Sequence, residues 1–232
     1  LIAGADVEVD PIAAKKRIGY LPEGAPLYSD MSPRNLLEFI AEAREVPAAE
    51  RAKRIEEIAA KGHVVVLAVR DTDKGAKAVA DIERALQDSG APASAGALDV
   101  MRLDLQDLQR VERFAEAFGE KYDRCDVLMN NAGVMALPTK SLTLDGLETQ
   151  MGTNHMGHFF LTNLLLPKIF AAPGRPRIVN LSSVAHEWGH IDFENTNSDG
   201  PLGYLAAGWL TYGRTKLANL YFTYELHRRL RK

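Results

Sequence analysis

The sequence predicts an α/β fold built on a parallel sheet. Three observations carry that prediction. Val64-Val65-Val66-Leu67-Ala68-Val69 is a continuous, mostly β-branched run, the pattern of a parallel strand covered on both faces. Strand-like and helix-like stretches alternate from there to the end of the chain. A second strand expected to be buried, Cys125 to Met129, runs into Asn130-Asn131-Ala132-Gly133, a polar turn at the kind of strand end where open α/β sheets bind ligands.

The elements follow in order. Leu1 to Val9 and Arg17 to Leu21 read as short strands, with a loop at Pro22 to Pro26. Ser32-Pro33 caps a helix whose apolar face is Leu36, Leu37, Phe39 and Ile40. Val46-Pro47 breaks it, and a second helix runs from Pro47 to Lys61. After the Val64–Val69 strand come a helix from Lys74 to Gln87, a strand from Ala97 to Leu105 and a helix from Gln106 to Lys121. The Cys125–Met129 strand is followed by a helix from Leu144 to Phe170, a strand from Arg177 to Leu181 and a final helix from Thr211 to Arg231.

Composition narrows the function classes. The 232 residues are 46% hydrophobic and 25% charged, which is globular, and a net charge of -3 gives no electrostatic case for nucleic acid or an anionic membrane. Cys125 is the single cysteine, so no internal disulfide can form, and a buried thiol at a strand start is expected. His155 and His158 are three apart without a third metal ligand nearby. The most apolar stretch, Phe159 to Ala172, is interrupted by Thr162, Asn163, Pro167 and Lys168. It is shorter than the roughly 20 residues a membrane helix needs. No signal peptide is visible, and a cytoplasmic protein is expected. The chain starts at Leu1 rather than Met and ends in Arg228-Arg229-Leu230-Arg231-Lys232, so both ends read as cut.

Tyr212 and Lys216 carry the chemistry. Four residues apart on a helix, they share a face. A free tyrosine is a poor base at neutral pH, and a neighbouring ammonium favours its phenolate. Such a tyrosine can protonate a carbonyl oxygen or deprotonate an alcohol. The spacing alone also arises by chance on amphipathic helices. Asn130 to Gly133 suits close backbone approach to a ligand, though a plain polar turn reads the same. Ser182-Ser183 ends the next strand on the same sheet edge, as a cap or as a ligand contact. Thr153-Asn154-His155 puts an asparagine inside a long helix, where a buried amide needs partners.

In order, Asn130 to Gly133, Thr153-Asn154-His155-Met156-Gly157-His158, Asn180-Leu181-Ser182-Ser183 and Tyr212-Gly213-Arg214-Thr215-Lys216 resemble the short-chain dehydrogenase/reductase family over about residues 61 to 232. Val184-Ala185-His186 and Lys216-Leu217-Ala218-Asn219-Leu220 look most like its retinol-dehydrogenase and WW-domain-oxidoreductase branch. The resemblance implies a Rossmann-like doubly wound parallel sheet and an NADP(H)-dependent oxidoreductase acting on a small alcohol or carbonyl substrate. It makes Tyr212 the general acid/base, with Lys216 lowering its pKa and holding the nicotinamide ribose. Ser183 orients the substrate oxygen, and Asn154 holds a water that relays protons to Lys216. Arg70 suits the 2′-phosphate of NADP, making NAD(H) the lesser candidate; Asp104 contacts adenine, and Asn130, Ala132 and Gly133 line the cofactor. Trp188, Phe193, Tyr204 and Trp209 fall in the long step from Ser183 to Tyr212, either lining an apolar substrate pocket or packing at the surface. The helices near 144–170 and 208–231 are those that pair between subunits in the family, which implies a homodimer.

The family's glycine-rich turn, whose glycines let the backbone approach a pyrophosphate, belongs just before residue 61. Residues 1–60 contain no such turn. They resemble instead an internal piece of ABC-transporter ATP-binding subunits. The match runs from Asp10-Pro11 through Lys15 to Glu23, with Leu27-Tyr28, Met31-Ser32 and Asn35-Leu36-Leu37. The Walker A, signature, Walker B and switch elements are absent, so no ATPase activity is expected. The sequence therefore reads as a foreign segment, 1–60, joined to a dehydrogenase domain, 61–232, that is incomplete at both ends. Weak cofactor binding follows; a catalytically inactive chimeric or truncated protein is the alternative, and an ATP-binding module of an ABC transporter the remote one. In the family the missing first strand is central; Arg17 to Leu21 is a candidate to fill its place.

Overall fold

The computed structural model describes residues 64–88, 98–135, 137–198 and 204–230. The strands and helices expected before residue 62 lie outside the described residues. The elements are β1 (Val65–Val69), α1 (Thr72–Asp88), β2 (Leu98–Arg102), α2 (Leu108–Lys121), β3 (Val127–Asn130) and α3 (Thr149–Met151), then a π turn (Gly152–Met156), α4 (Gly157–Phe170), β4 (Arg177–Asn180), a 3-10 turn (Val184–Trp188) and α5 (Tyr204–Leu230). The chain divides into two compact units, Leu1–Leu67 with Asp73–Val100, and Ala68–Thr72 with Met101–Lys232. The second contains every predicted site residue.

Strands alternate with helices as expected. Among the described residues they form two two-stranded sheets, β1 with β2 and β3 with β4. The β3–β4 pair is parallel, in register from Val127 opposite Arg177 to Asn130 opposite Asn180. Leu181 N–H extends the ladder to Asn130 O at 3.1 Å.

The core of the second unit lies between α2 and α4, which pack together. Val111, Phe114 and Phe118 form the buried stripe of α2, at the three-and-four spacing of a helix face. Leu161, Leu165 and Ile169 are the buried apolar side chains of α4. Each such side chain contributes about 1.5–3 kcal/mol of burial free energy. Asp107 caps α2, accepting from Arg110 N–H at 3.2 Å. Lys168 Nζ donates to Gly119 O at 2.7 Å, tying the last turn of α2 to α4. Cys125 is buried as expected, and burial pushes its thiol pKa up.

Four expectations need correction. The Cys125–Met129 strand is covered on one face only: Val127 and Met129 are 58% and 59% exposed, while Asn130 is buried. β1 is likewise not covered on both faces, with Val65 49% exposed. Apolar runs show that a strand is fit for burial; other segments decide whether both faces are covered. The helix expected from Leu144 starts instead at Thr149. A turn at Gly146, with φ +76°, folds the preceding residues back so that Leu142 bridges Glu148. Glu148 then caps the helix, its carboxylate accepting from Met151 N–H at 2.9 Å. The final helix starts earlier than expected, at Tyr204.

Candidate active site

The helix that crosses the unit's interior is not regular where the motif residues sit. At Gly152–Met156 it widens, and Gly157 N–H bonds to Gly152 O, five residues back. Gly157 also has no room for a side chain: a Cβ there would lie 2.8 Å from Leu105 O. Such widened turns are frequent at functional sites. Asn154 sits in this one, fully buried. Its carboxamide is spent on the loop after β3: Oδ1 accepts from Val134 N–H at 2.8 Å, and Nδ2 donates to Val134 O at 2.8 Å. Nδ2 also donates to Thr215 Oγ1 on α5 at 3.2 Å. The buried mid-helix amide thus has the partners it needs, and it fixes the chain immediately after Gly133.

The carbonyl of Asn154 accepts two further bonds, from His158 Nδ1 at 3.1 Å and Asn219 Nδ2 at 3.1 Å. A carbonyl cannot donate, so His158 carries its proton on Nδ1. Burial is the main cause that lowers the His158 pKa, to about 4, and the Lys216 charge lowers it further. His158 is therefore neutral at pH 7. His155 is also lowered by burial, partly offset by its bond to Asn219.

Tyr212 and Lys216 are both buried, at 2% and 1% exposure. Lys216 Nζ stands 5.3 Å from the Tyr212 ring centroid, so the expected shared helix face is observed. Trp209 packs edge-on against the Tyr212 ring at 6.3 Å. Gly213 allows the 3-10 turn to lie directly on α5; a Cβ at Gly213 would stand 2.5 Å from Ala185 O. Ser183 caps that turn, its Oγ accepting from Ala185 N–H at 3.2 Å, which leaves its own O–H to donate. Ser182 Oγ donates to Lys216 O at 2.8 Å, fastening the exit of β4 to α5.

The remaining predicted residues stand apart from this group. Asn130 is buried at the end of β3, and its Nδ2 donates to Thr162 Oγ1 at 2.8 Å and Asn180 Oδ1 at 2.7 Å, joining β3, β4 and α4. Ala132 and Gly133 are exposed in the following loop. Asp104 follows β2; its Oδ1 accepts from Gln106 N–H at 3.1 Å, and its Oδ2 is 4.0 Å from Arg110. Arg70 is exposed directly after β1. Trp188, Phe193 and Trp209 are 59%, 86% and 47% exposed. The side chain of Tyr204 lies outside the described residues.

Several contributors were not singled out from sequence as site residues. Asn219 and His158 hold the Asn154 carbonyl. Arg214 donates to His190 O at 2.9 Å and Asn195 O at 2.6 Å, fastening the segment before α5. Their signal was proximity to the motifs: Asn219 lies three residues after Lys216, and Arg214 lies between Tyr212 and Lys216.

A Rossmann-like α/β unit carrying a tyrosine and a lysine on one helix, beside a serine-ended strand and a widened asparagine turn, defines a class of dehydrogenase. The family model for short chain dehydrogenase matches residues 48–194, and the chain belongs to this family. Human Retinol dehydrogenase 13 is 43% identical over 175 residues, covering 75% of this chain and 49% of that protein. Mouse Retinol dehydrogenase 11 is 42% identical over 177 residues, covering 76% of this chain and 52% of that protein. The chain thus spans about half the length of the curated relatives it matches. An uncharacterised protein from Mycobacterium Paratuberculosis has a crystal structure that is 45% identical, with a TM-score of 0.60 over 78% of this chain and 58% of its own. A metagenomic short-chain oxidoreductase solved in complex with NADP shares the fold, at 22% identity and a TM-score of 0.51, over 78% of this chain and 71% of its own. The family and the doubly wound α/β fold expected from the motifs are therefore correct. Among the described residues no helix is long and apolar enough to cross a membrane.

Proposed function

We propose that this chain is an NADP(H)-dependent oxidoreductase that interconverts an alcohol and a carbonyl, with Tyr212 as the general acid/base. The observation that carries this reading is the buried Tyr212–Lys216 pair on α5, with Lys216 Nζ 5.3 Å from the ring. Lys216 favours the phenolate by its positive charge, so the Tyr212 hydroxyl can give up or regain a proton at the substrate oxygen. Ser183 Oγ accepts from Ala185 N–H, and its own O–H is available to hydrogen-bond the same substrate oxygen and orient it. Asn154 holds the loop after Gly133 in place; a relay water on its carbonyl would displace one of the two side-chain donors there.

The residues present suit the nicotinamide end of the cofactor. The backbone at Asn131 to Gly133 is exposed beyond a strand end. In the strand end and the turn that flank it, Asn130 Oδ1 and Thr153 Oγ1 are buried without a hydrogen-bond partner among the described residues. The cofactor supplies the hydride when bound. Asn130, Ala132 and Gly133 would hold it near the sheet edge, with Asp104 toward adenine and Arg70 toward a 2′-phosphate, which favours NADP(H) over NAD(H). Residues 1–60 offer no glycine-rich turn for the pyrophosphate, so binding is weak. A fluorescence titration with NADPH tests this: affinity weaker than micromolar is expected, and submicromolar affinity contradicts it.

The second reading is a catalytically inactive chimeric or truncated protein. The missing glycine-rich turn and the 2% exposure of Tyr212 favour it. α4 and α5 present Phe159, Tyr221 and Tyr224 to solvent, 41%, 56% and 66% exposed, and we place the subunit contact of a homodimer on those helices.

A further inference from the structure

Asn219 lies three residues beyond Lys216 on α5 and is 5% exposed. Its carboxamide joins three segments: its own helix α5, the widened turn and the exit of β4. Nδ2 donates to Asn154 O at 3.1 Å and to Leu181 O at 2.9 Å. Oδ1 bonds His155 Nδ1 at 2.9 Å. Carbonyl oxygens only accept, so the orientation of the amide is fixed by its partners: nitrogen toward Asn154 and Leu181, oxygen toward a protonated His155 Nδ1. The next turn repeats the pattern, with Thr223 Oγ1 donating to Asn219 O at 2.7 Å.

The three segments are those that carry the chemistry. The widened turn holds Asn154, the exit of β4 leads through Leu181 and Ser182 to Ser183, and α5 carries Tyr212 and Lys216. Ser182 Oγ adds a second tie from that exit to Lys216 O. An apolar side chain of the same size would fill the space but remove the side-chain donor to Leu181 O and the acceptor of the His155 N–H, and leave His158 Nδ1 as the one side-chain donor to Asn154 O.

We propose that Asn219 is a positioning residue of the Tyr212–Lys216 site, pinning the Asn154 turn and the strand exit before Ser183 onto the helix that carries the pair. The proposal rests on the oxidoreductase reading for its functional consequence, but its geometry can be tested apart from turnover.

The experiment uses the full chain with tyrosine labelled by 13C at Cζ. The chain has seven tyrosines, and the Tyr212 line is assigned by its loss in Tyr212→Phe. In Asn219→Leu, which keeps the shape and loses all three bonds, the Tyr212 line shifts at fixed pH while the other lines stay in place. In NADPH-driven carbonyl reduction kcat falls about tenfold with KM nearly unchanged. A folded Asn219→Leu protein whose Tyr212 line stays at the wild-type position overturns the proposal, as does a change confined to KM. If Asn219→Leu does not fold, Asn219→Ala is measured against the same outcomes. A shifted Tyr212 line in a chain whose wild type shows no turnover supports the positioning role and sinks the oxidoreductase reading alone.

Discussion

Asn154→Ala should be among the most destabilising polar substitutions in the second unit. The residue is fully buried, and its carboxamide makes three hydrogen bonds, two to Val134 at 2.8 Å and one to Thr215 at 3.2 Å. At about 1 kcal/mol per bond, the loss is about 3 kcal/mol. Water can reach Val134, which is half-buried, and offsets part of this. Thr215 is fully buried and gains no such relief. For a chain of 232 residues each kcal/mol moves the melting temperature by roughly 2–4 °C, so a fall of about 6–12 °C is expected. Asn163→Ala on α4 is the internal control. Its side chain makes one exposed bond, to Phe159 O at 2.7 Å, and its loss should stay within about 0.5 kcal/mol. Urea unfolding of both variants gives the comparison. If Asn154→Ala costs no more than Asn163→Ala, the widened turn does not depend on this amide and the local account fails.

Three further outcomes follow from the same geometry. His158 has a pKa of about 4 when folded and an ordinary one near 6.5 when unfolded, so the unfolded chain binds a proton that the folded chain refuses. Its contribution is complete above about pH 6.5 and is lost as pH falls toward 4, by roughly 2 kcal/mol at pH 5. Urea midpoints between pH 7.5 and 5 should flatten by that amount in His158→Gln. Gly213→Ala forces a Cβ to within 2.5 Å of Ala185 O and should cost about 1–3 kcal/mol in urea unfolding, displacing Tyr212's neighbour. Gly119→Ala meets only the flexible Lys168 end, at 3.4 Å, and should instead gain up to about 1 kcal/mol of helix propensity in the same assay.

Much of this arrangement could be read from the chain. Four-residue spacing placed Tyr212 and Lys216 together because helix geometry is local. Asn154 stood out because an amide inside an apolar helix must be satisfied somewhere, although Val134 and Thr215 could not be named in advance. Asn219 was invisible as a hub because its partners come from two segments distant in sequence, the Asn154–His155 turn and the exit of β4. The exposure of Val127 and Met129 was equally illegible: β-branched and apolar residues record strand preference, while coverage depends on which other elements reach that face. The start of the helix at Thr149 turned on side-chain chemistry. Thr143 Oγ1 accepts from Leu147 N–H at 3.2 Å, and this with Gly146 outcompetes the helical continuation that periodicity suggested. The burial of Tyr212 was likewise not written in its spacing.

Hydride transfer itself tests the proton-transfer assignment most directly. The full chain is incubated with NADPH deuterated at the transferring carbon and with an excess of a simple aromatic aldehyde, and the alcohol formed is analysed by mass spectrometry. The assignment predicts product carrying one deuterium from the wild-type chain, and a yield lower by about 100-fold or more from Tyr212→Phe. Equal deuterium incorporation by wild type and Tyr212→Phe, or none by wild type at saturating NADPH, would contradict it.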